Sequence, residues 1–499
     1  MGKNKSKIDS YTPYADITSI AKLKAFLFHH LDFMILLAIL TFVVYANSLQ
    51  GAFVSDDIGV YTPGEVFSTP LTLKTFAFYK VLSAANSALF GFTPIPLHIV
   101  SVILHLTVAV LFFIFTSMFF SKKVAMFSTT LFIVHPLATE AVSWISGNAY
   151  LITAVATFAS LTSYSIYKKS SKKSWLFVTY AIFTAALVFI RGSHVLVILP
   201  MLLILDQFLF EKKFNLKSAL VLLPLIIPAL FYLFTMRSLI EFRVQSVGLD
   251  LDQAKTSYLV ALPYSLYMSA KFLIFPWKLT LYHDAEPISQ TLLFVMRAVA
   301  VFILGFIIFN YKKHRTIVGL TLMAIASFAY MLSPIQVAWF FAERYVYIAI
   351  GMFAILLSLL LVKVEEKEKT RNLALVIVAI ITLFYSTRTI MRNSDWRTNK
   401  RLWEATVRVA PFSARAYNNL GDVYFKEGDA KASINAFKYA LELDPNYADA
   451  THNLGNIYYQ TGDLENAELY MRKALELNPN SQITKQILEA ILKRTGRAL

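Results

Sequence analysis

Apolar residues run almost without interruption through most of this chain, then give way after Asp395 to a sequence in which apolar and polar positions alternate with a helical period. Crossing a hydrocarbon core of about 30 Å takes about 17–25 helical residues. Runs long enough to do so lie near residues 31–48, 96–120, 124–140, 149–167, 173–190, 195–210, 217–236, 258–276, 290–310, 316–335, 343–362 and 372–391. Each predicts a membrane helix. The run at 258–276 differs from the others, because Tyr264, Tyr267, Lys271 and the Pro276-Trp277-Lys278 end are residue types that favour the membrane interface.

The sequence beyond Asp395 repeats every 34 residues. Leu420, Gly421, Tyr424, Phe437, Ala440 and Pro445 recur as Leu454, Gly455, Tyr458, Met471, Ala474 and Pro479. That period and those residue types predict tetratricopeptide-type helix pairs, in which small residues let the helices approach, large ones fill the groove and proline ends each second helix. Full repeats are expected near 414–447 and 448–481, with a capping helix at 482–494. Upstream, Asn399 to Pro411 reads as a lone second helix with Trp403 at the large position. Two full repeats fall below the three or so such arrays need, so this array is expected to lean on the membrane domain or on a partner.

Composition agrees with a chain whose main solvent is lipid: 57% of its 499 residues are hydrophobic and 16% charged. The net charge of +16 would suggest nucleic acid in a soluble protein. Here the lysines and arginines stand in short clusters between apolar runs, where they orient membrane helices, and no nucleic-acid partner is expected. Residues 411–499 hold ten basic and eleven acidic residues, so the surplus belongs to the remainder. With no cysteine, disulfides, thiolate metal sites and cysteine nucleophiles are excluded. Met1 to Lys24 is polar and lacks the plan of a simple secretory signal.

Basic clusters favour the cytoplasmic face. They include Lys3, Lys5, Lys7, Lys22 and Lys24; Lys122 and Lys123; Lys168, Lys169, Lys172 and Lys173; Lys212, Lys213 and Lys217; and Lys312 to Arg315. Between Lys217 and Lys312 lie three apolar runs, which would put those two clusters on opposite faces. Reading 258–276 as re-entrant or interfacial restores agreement. The expected fold class is therefore all-α: a polytopic membrane helical bundle of about eleven crossings plus one re-entrant or interfacial segment, with a C-terminal tetratricopeptide-repeat domain. Its parts are a cytoplasmic N-terminal segment (1–30), the membrane domain (31–394) and the repeat domain (395–499). An odd count places the repeats outside the cell membrane, on the face of loops 49–95, 138–148, 191–194, 237–289 and 336–344.

Chemistry-bearing residues gather on that face. Asp56 and Asp57 follow the first crossing and precede an amphipathic stretch with Tyr61, Phe67, Phe76, Phe78, Tyr79 and Lys80. They read either as solvated loop acids or as a carboxylate poised to take a proton from a hydroxyl nucleophile. His135 and Glu140, at a helix end, can wall a polar pocket, although a lone histidine also serves as a satisfied packing residue. Arg344, at the start of a crossing, is costly there unless paired. It reads equally as the partner of Glu343 and as a bidentate phosphate ligand.

In order along the chain, Asp56-Asp57, Gly91-Phe92-Thr93-Pro94, His98, His105, His135-Pro136, Thr139-Glu140-Ala141-Val142, Glu343-Arg344-Tyr345 and Trp396 ahead of the repeats resemble the transmembrane and tetratricopeptide-repeat-containing protein O-mannosyltransferases, of the C superfamily of membrane glycosyltransferases. The resemblance covers nearly the whole chain. It implies a polyprenyl-phosphate-linked sugar donor, inverting transfer to a Ser or Thr hydroxyl of an acceptor protein gathered by the repeats, and a general base in the first outer loop, which falls on Asp56 and Asp57. It also implies lipid-phosphate or donor binding at Arg344, with Glu343, His135, Glu140 and Arg191 in the same site. A divalent metal is possible and not required by the sequence. Two departures stand out: Arg191-Gly192 where relatives often carry Lys-Glu, and a repeat array much shorter than in eukaryotic members, which suggests a prokaryotic relative. The other reading is a non-catalytic membrane-anchored repeat scaffold, with a transporter third.

Overall fold

Long apolar runs become long helices, and the computed structural model describes residues 11–61, 78–190, 192–211, 213–235, 258–283, 288–332, 341–365 and 372–497. Nine of the described helices are long and apolar enough to cross a membrane: Leu31–Ser48, Ile95–Ser117, Ile145–Ser170, Lys173–Ile190, Ser193–Phe210, Leu216–Thr235, Gln290–Asn310, Glu343–Val364 and Leu373–Asp395. A tenth is made if Lys122–Val134 and Pro136–Ser143, bent by 53°, form one span. The expected crossing at 316–335 is instead a twelve-residue helix, Arg315–Ala326, followed by a short 3-10 turn. The run expected to be re-entrant or interfacial forms the 17-residue helix Tyr258–Ile274, at the lower limit of a crossing among the described residues.

Burial sorts these helices into an inner and an outer set. Glu343–Val364 and Ile145–Ser170 are mostly enclosed by protein, whereas Gln290–Asn310 turns Phe294, Val301, Phe302 and Phe309 outward. Such a surface is stable only where its surroundings are as apolar as itself. Phe78–Phe90 shows the same inversion on a small scale, burying Ser83 and Asn86 while exposing Val81, Leu89 and Phe90. That is the pattern of a helix lying on an apolar medium.

The chain divides into two compact units, one of residues 1–277 and 289–394, the other of 278–288 and 395–499. In the second, Asn399–Val409 precedes two helix pairs, Ala414–Lys426 with Ala430–Leu443 and Ala448–Thr461 with Leu464–Leu477, closed by Gln482–Thr495. Asp429 and Asp463 accept from backbone N–H groups three residues on and so start the second helix of each pair. A Cβ on Gly421 would lie 2.7 Å from the Phe437 ring, which is why the small and large positions of the repeat occur together. Phe437, Leu454, Ile457, Met471, Leu488, Ile491 and Leu492 form one core through the second pair and the closing helix.

Candidate active site

The site is organised by a break in a helix. Pro136 has no N–H to continue the Lys122–Val134 helix, and it drives His135 into extended backbone. The chain bends there and runs through two short turns and a five-residue helix, Thr139–Ser143, to Gly147. Gly147 sits so close beneath this loop that a Cβ would lie 2.8 Å from the Glu140 carbonyl oxygen and 2.9 Å from that of Ala141. Only glycine fits without moving backbone.

This loop, residues 139–147, gathers residues from three distant parts of the chain. Ser146 donates to Asp57 Oδ1 through its backbone N–H at 2.8 Å and its hydroxyl at 2.5 Å. The Val54 N–H donates to Asp57 Oδ2 at 3.2 Å. Glu140 Oε2 accepts the backbone N–H of Arg344 at 2.9 Å, and its other oxygen pairs with the Arg344 guanidinium. The Ser143 hydroxyl bonds Asn393 at 2.9 Å, next to Arg392, whose guanidinium lies 3.3 Å from Glu343. Of the two readings of Arg344, the pair with Glu343 does not form. On the 3-10 turn Glu343–Val346 the two adjacent side chains diverge, Arg344 to Glu140 and Glu343 to Arg392.

Aromatic rings surround the arginine. Its guanidinium carbon lies 4.8 Å from the Tyr345 ring centre, 5.2 Å from Trp144 and 5.8 Å from Tyr150. His194 stacks on Tyr150 with centroids 4.7 Å apart. A small cavity adjoins this group, lined by Tyr150, His194, Tyr330, Arg344 and Tyr345 among others.

The two aspartates differ sharply. Asp57 is buried, and burial pushes its carboxyl up to about 7 despite the three hydrogen bonds that favour the anion. Asp56, at the N-cap of the short helix Asp57–Val60, is exposed. His135 is buried with both ring nitrogens engaged: Nδ1 accepts from Leu137 N–H at 3.2 Å and Nε2 meets the Leu273 carbonyl at 3.1 Å. His98 bonds the Gly51 carbonyl at 3.2 Å, and His105 bonds Tyr347 at 2.6 Å and the Ile133 carbonyl at 3.0 Å. Arg191, Phe67 and Phe76 lie outside the described residues. Among the described residues no three His, Asp or Glu side chains group as a metal site.

Sequence reasoning missed Ser146, Arg392 and the aromatic box. Arg392 carried a signal, since an ionisable residue at the end of an apolar run marks a partner to be found. Ser146 carried only its place beside Gly147 in the His135–Gly147 loop.

Two tetratricopeptide-repeat family models match the C-terminal unit, over residues 421–462 and 448–481. The chain is similar to Protein O-mannosyl-transferase TMTC3 of Mus musculus, 24% identical over 425 residues that make up 76% of this chain and 44% of that protein. It is also similar to Protein O-mannosyl-transferase TMTC4 of Homo sapiens, at 23% over 427 residues, covering 74% and 57%. A third relative is Protein O-mannosyl-transferase F38B6.6 of Caenorhabditis elegans, at 26% over 387 residues, covering 74% and 53%. The chain thus spans about half the length of the curated relatives it matches. A crystal structure of the Archaeoglobus fulgidus oligosaccharyltransferase aligns over 74% of this chain and 55% of its own at TM-score 0.43 and 13% identity, too slight a likeness to argue from. The resemblance carried by the ordered motifs is matched by these relatives.

Proposed function

We propose that this chain is a membrane glycosyltransferase that moves a sugar from a polyprenyl-phosphate-linked donor to a Ser or Thr hydroxyl of an acceptor protein at the extracytoplasmic face, with inversion. The observation that carries the reading is the loop 139–147, which ties Asp57, the neighbour of Asp56, to the buried arginine through Ser146 and Glu140. A scaffold needs no such assembly. The O-mannosyl-transferase relatives supply the reaction class.

Inversion requires the hydroxyl to attack the anomeric carbon from the side opposite the departing phosphate. A base must stand on the acceptor side, and positive charge must meet the leaving group. Asp56, exposed and beside an anchored neighbour, is the base; Asp57 fixes its loop. Arg344 serves the phosphate, which would displace the Tyr345 hydroxyl that lies 3.5 Å from its second guanidinium nitrogen. Glu140 orients that guanidinium, the Glu343–Arg392 pair holds the turn carrying it, and His135 holds the bend to the backbone of Leu273. The repeats gather the acceptor. The protein lies in the cell membrane with its N-terminus cytoplasmic.

Mass spectrometry of surface proteins from cells with and without this chain tests the reading. A hexose-type increment on Ser or Thr that disappears with the chain is expected, and unchanged glycosylation would count against it.

A further inference from the structure

We propose that the lysine-rich end of the membrane unit holds one anionic phospholipid, its tail in an aromatic cavity of about 260 Å³ and its phosphate on Lys169. This end plays no part in the glycosyl-transfer reading above, and the proposal does not depend on that reading.

The cavity lies where Ile95–Ser117 and Ile145–Ser170 end. Its apolar wall is built by Phe119, Phe120, Leu209 and Phe210, with the Phe119 and Phe210 rings edge to face at 5.3 Å. The N-terminal segment closes one side. Tyr14 N–H donates to the Phe120 carbonyl at 3.0 Å and Ala15 N–H to the Ser117 carbonyl at 2.8 Å, which hold Tyr11 against the cavity.

Two adjacent lysines at this end are treated differently. Lys168 is neutralised by Asp206 at 2.9 Å and Glu211 at 2.8 Å. Lys169, half-buried in the cavity wall, donates to the Met118 carbonyl at 2.7 Å and lies 5.6 Å from the Phe119 ring centre. Among the described residues no carboxylate stands within ion-pair reach of it; Asp16, paired with Lys22 at 2.6 Å, acts on it only from farther away. Lys172 and Lys173, both exposed, add to the positive field. An ammonium in a half-buried wall favours an anion. Aromatic walls favour a ligand that brings apolar surface of its own. An anion carrying an apolar tail, at the end of membrane helices, is an anionic lipid. A free phosphate would leave the aromatic wall unused, and a zwitterionic lipid would return a positive charge to the lysine.

Native mass spectrometry of the purified full chain tests this by titration with phosphatidylglycerol, with phosphatidylcholine of the same acyl chains, and with glycerol phosphate. The wild type should retain one phosphatidylglycerol at roughly tenfold lower concentration than phosphatidylcholine, as expected for one charge-assisted contact. Lys169→Gln should lose that preference, Lys169→Arg should keep it, and Lys172→Gln, which removes only an exposed and screened charge, should weaken it far less than Lys169→Gln does. Equal retention of the two lipids by the wild type, an undiminished preference in Lys169→Gln, or displacement by glycerol phosphate at equal concentration would each overturn the proposal. The wild-type comparison stands even if the glutamine variant fails to fold.

Discussion

Asp57 is a carboxylate whose surroundings work against its ionisation. Burial pushes its pKa from 3.8 up to about 7, so between those values the folded chain keeps a proton that the unfolded chain has lost. Stability from this group therefore falls as pH rises through that window and levels off above it. Asp57→Asn has no proton to lose and should show a smaller drop in melting temperature between about pH 5 and about pH 8. Melts of both proteins in one detergent check this, and identical drops would remove Asp57 from the account. Glu140 makes a second case. Breaking a buried pair by removing one partner costs about 3–5 kcal/mol, so Glu140→Ala should melt well below the wild type, and Glu140→Ala with Arg344→Leu should recover part of the loss. The residue types at these positions were legible in the sequence. The pairing was not, because adjacency suggested Glu343 with Arg344, whereas the turn at 343–346 sends the two to partners 49 and 204 positions away.

At the scale of elements, what sequence gives most readily is the repeat unit, where the 34-residue recurrence sets both helix pairs down to the Gly421–Phe437 contact. The run expected to cross at 124–140 is instead broken at His135-Pro136, where proline ends the Lys122–Val134 helix. Sequence did not show that 316–335 would end early as a helix, because its apolar composition is the same whether it crosses or turns. The tight loop after Pro136 depends on Gly147. Gly147→Ala forces backbone apart at a cost of about 1–3 kcal/mol, and the strain falls on the loop that holds Asp57 and Arg344. The variant should insert and keep its repeat unit folded, yet show faster proteolysis within the first outer loop. Unchanged cleavage there would mean that the 139–147 loop does not fix the aspartates.

For the whole molecule, the proposed topology has the lysine-rich ends cytoplasmic and the aspartates, the arginine and the repeats outside. A tag after Leu499 should be reachable in sealed cells and one between Lys168 and Lys173 should not; equal reachability of the two would undo that arrangement. The central claim is that an outer-loop aspartate drives sugar transfer, and it is tested most directly by transfer from a polyprenyl-phosphate-linked sugar to a Ser/Thr acceptor peptide, comparing purified wild type, Asp56→Asn, Asp57→Asn and the double variant. General-base catalysis contributes about 10²–10⁴-fold. Asp56→Asn should therefore lose transfer by that factor while still binding the acceptor, with Asp57→Asn impaired less. Near-normal turnover in both single variants and the double variant would contradict the account and leave the membrane-anchored scaffold in its place.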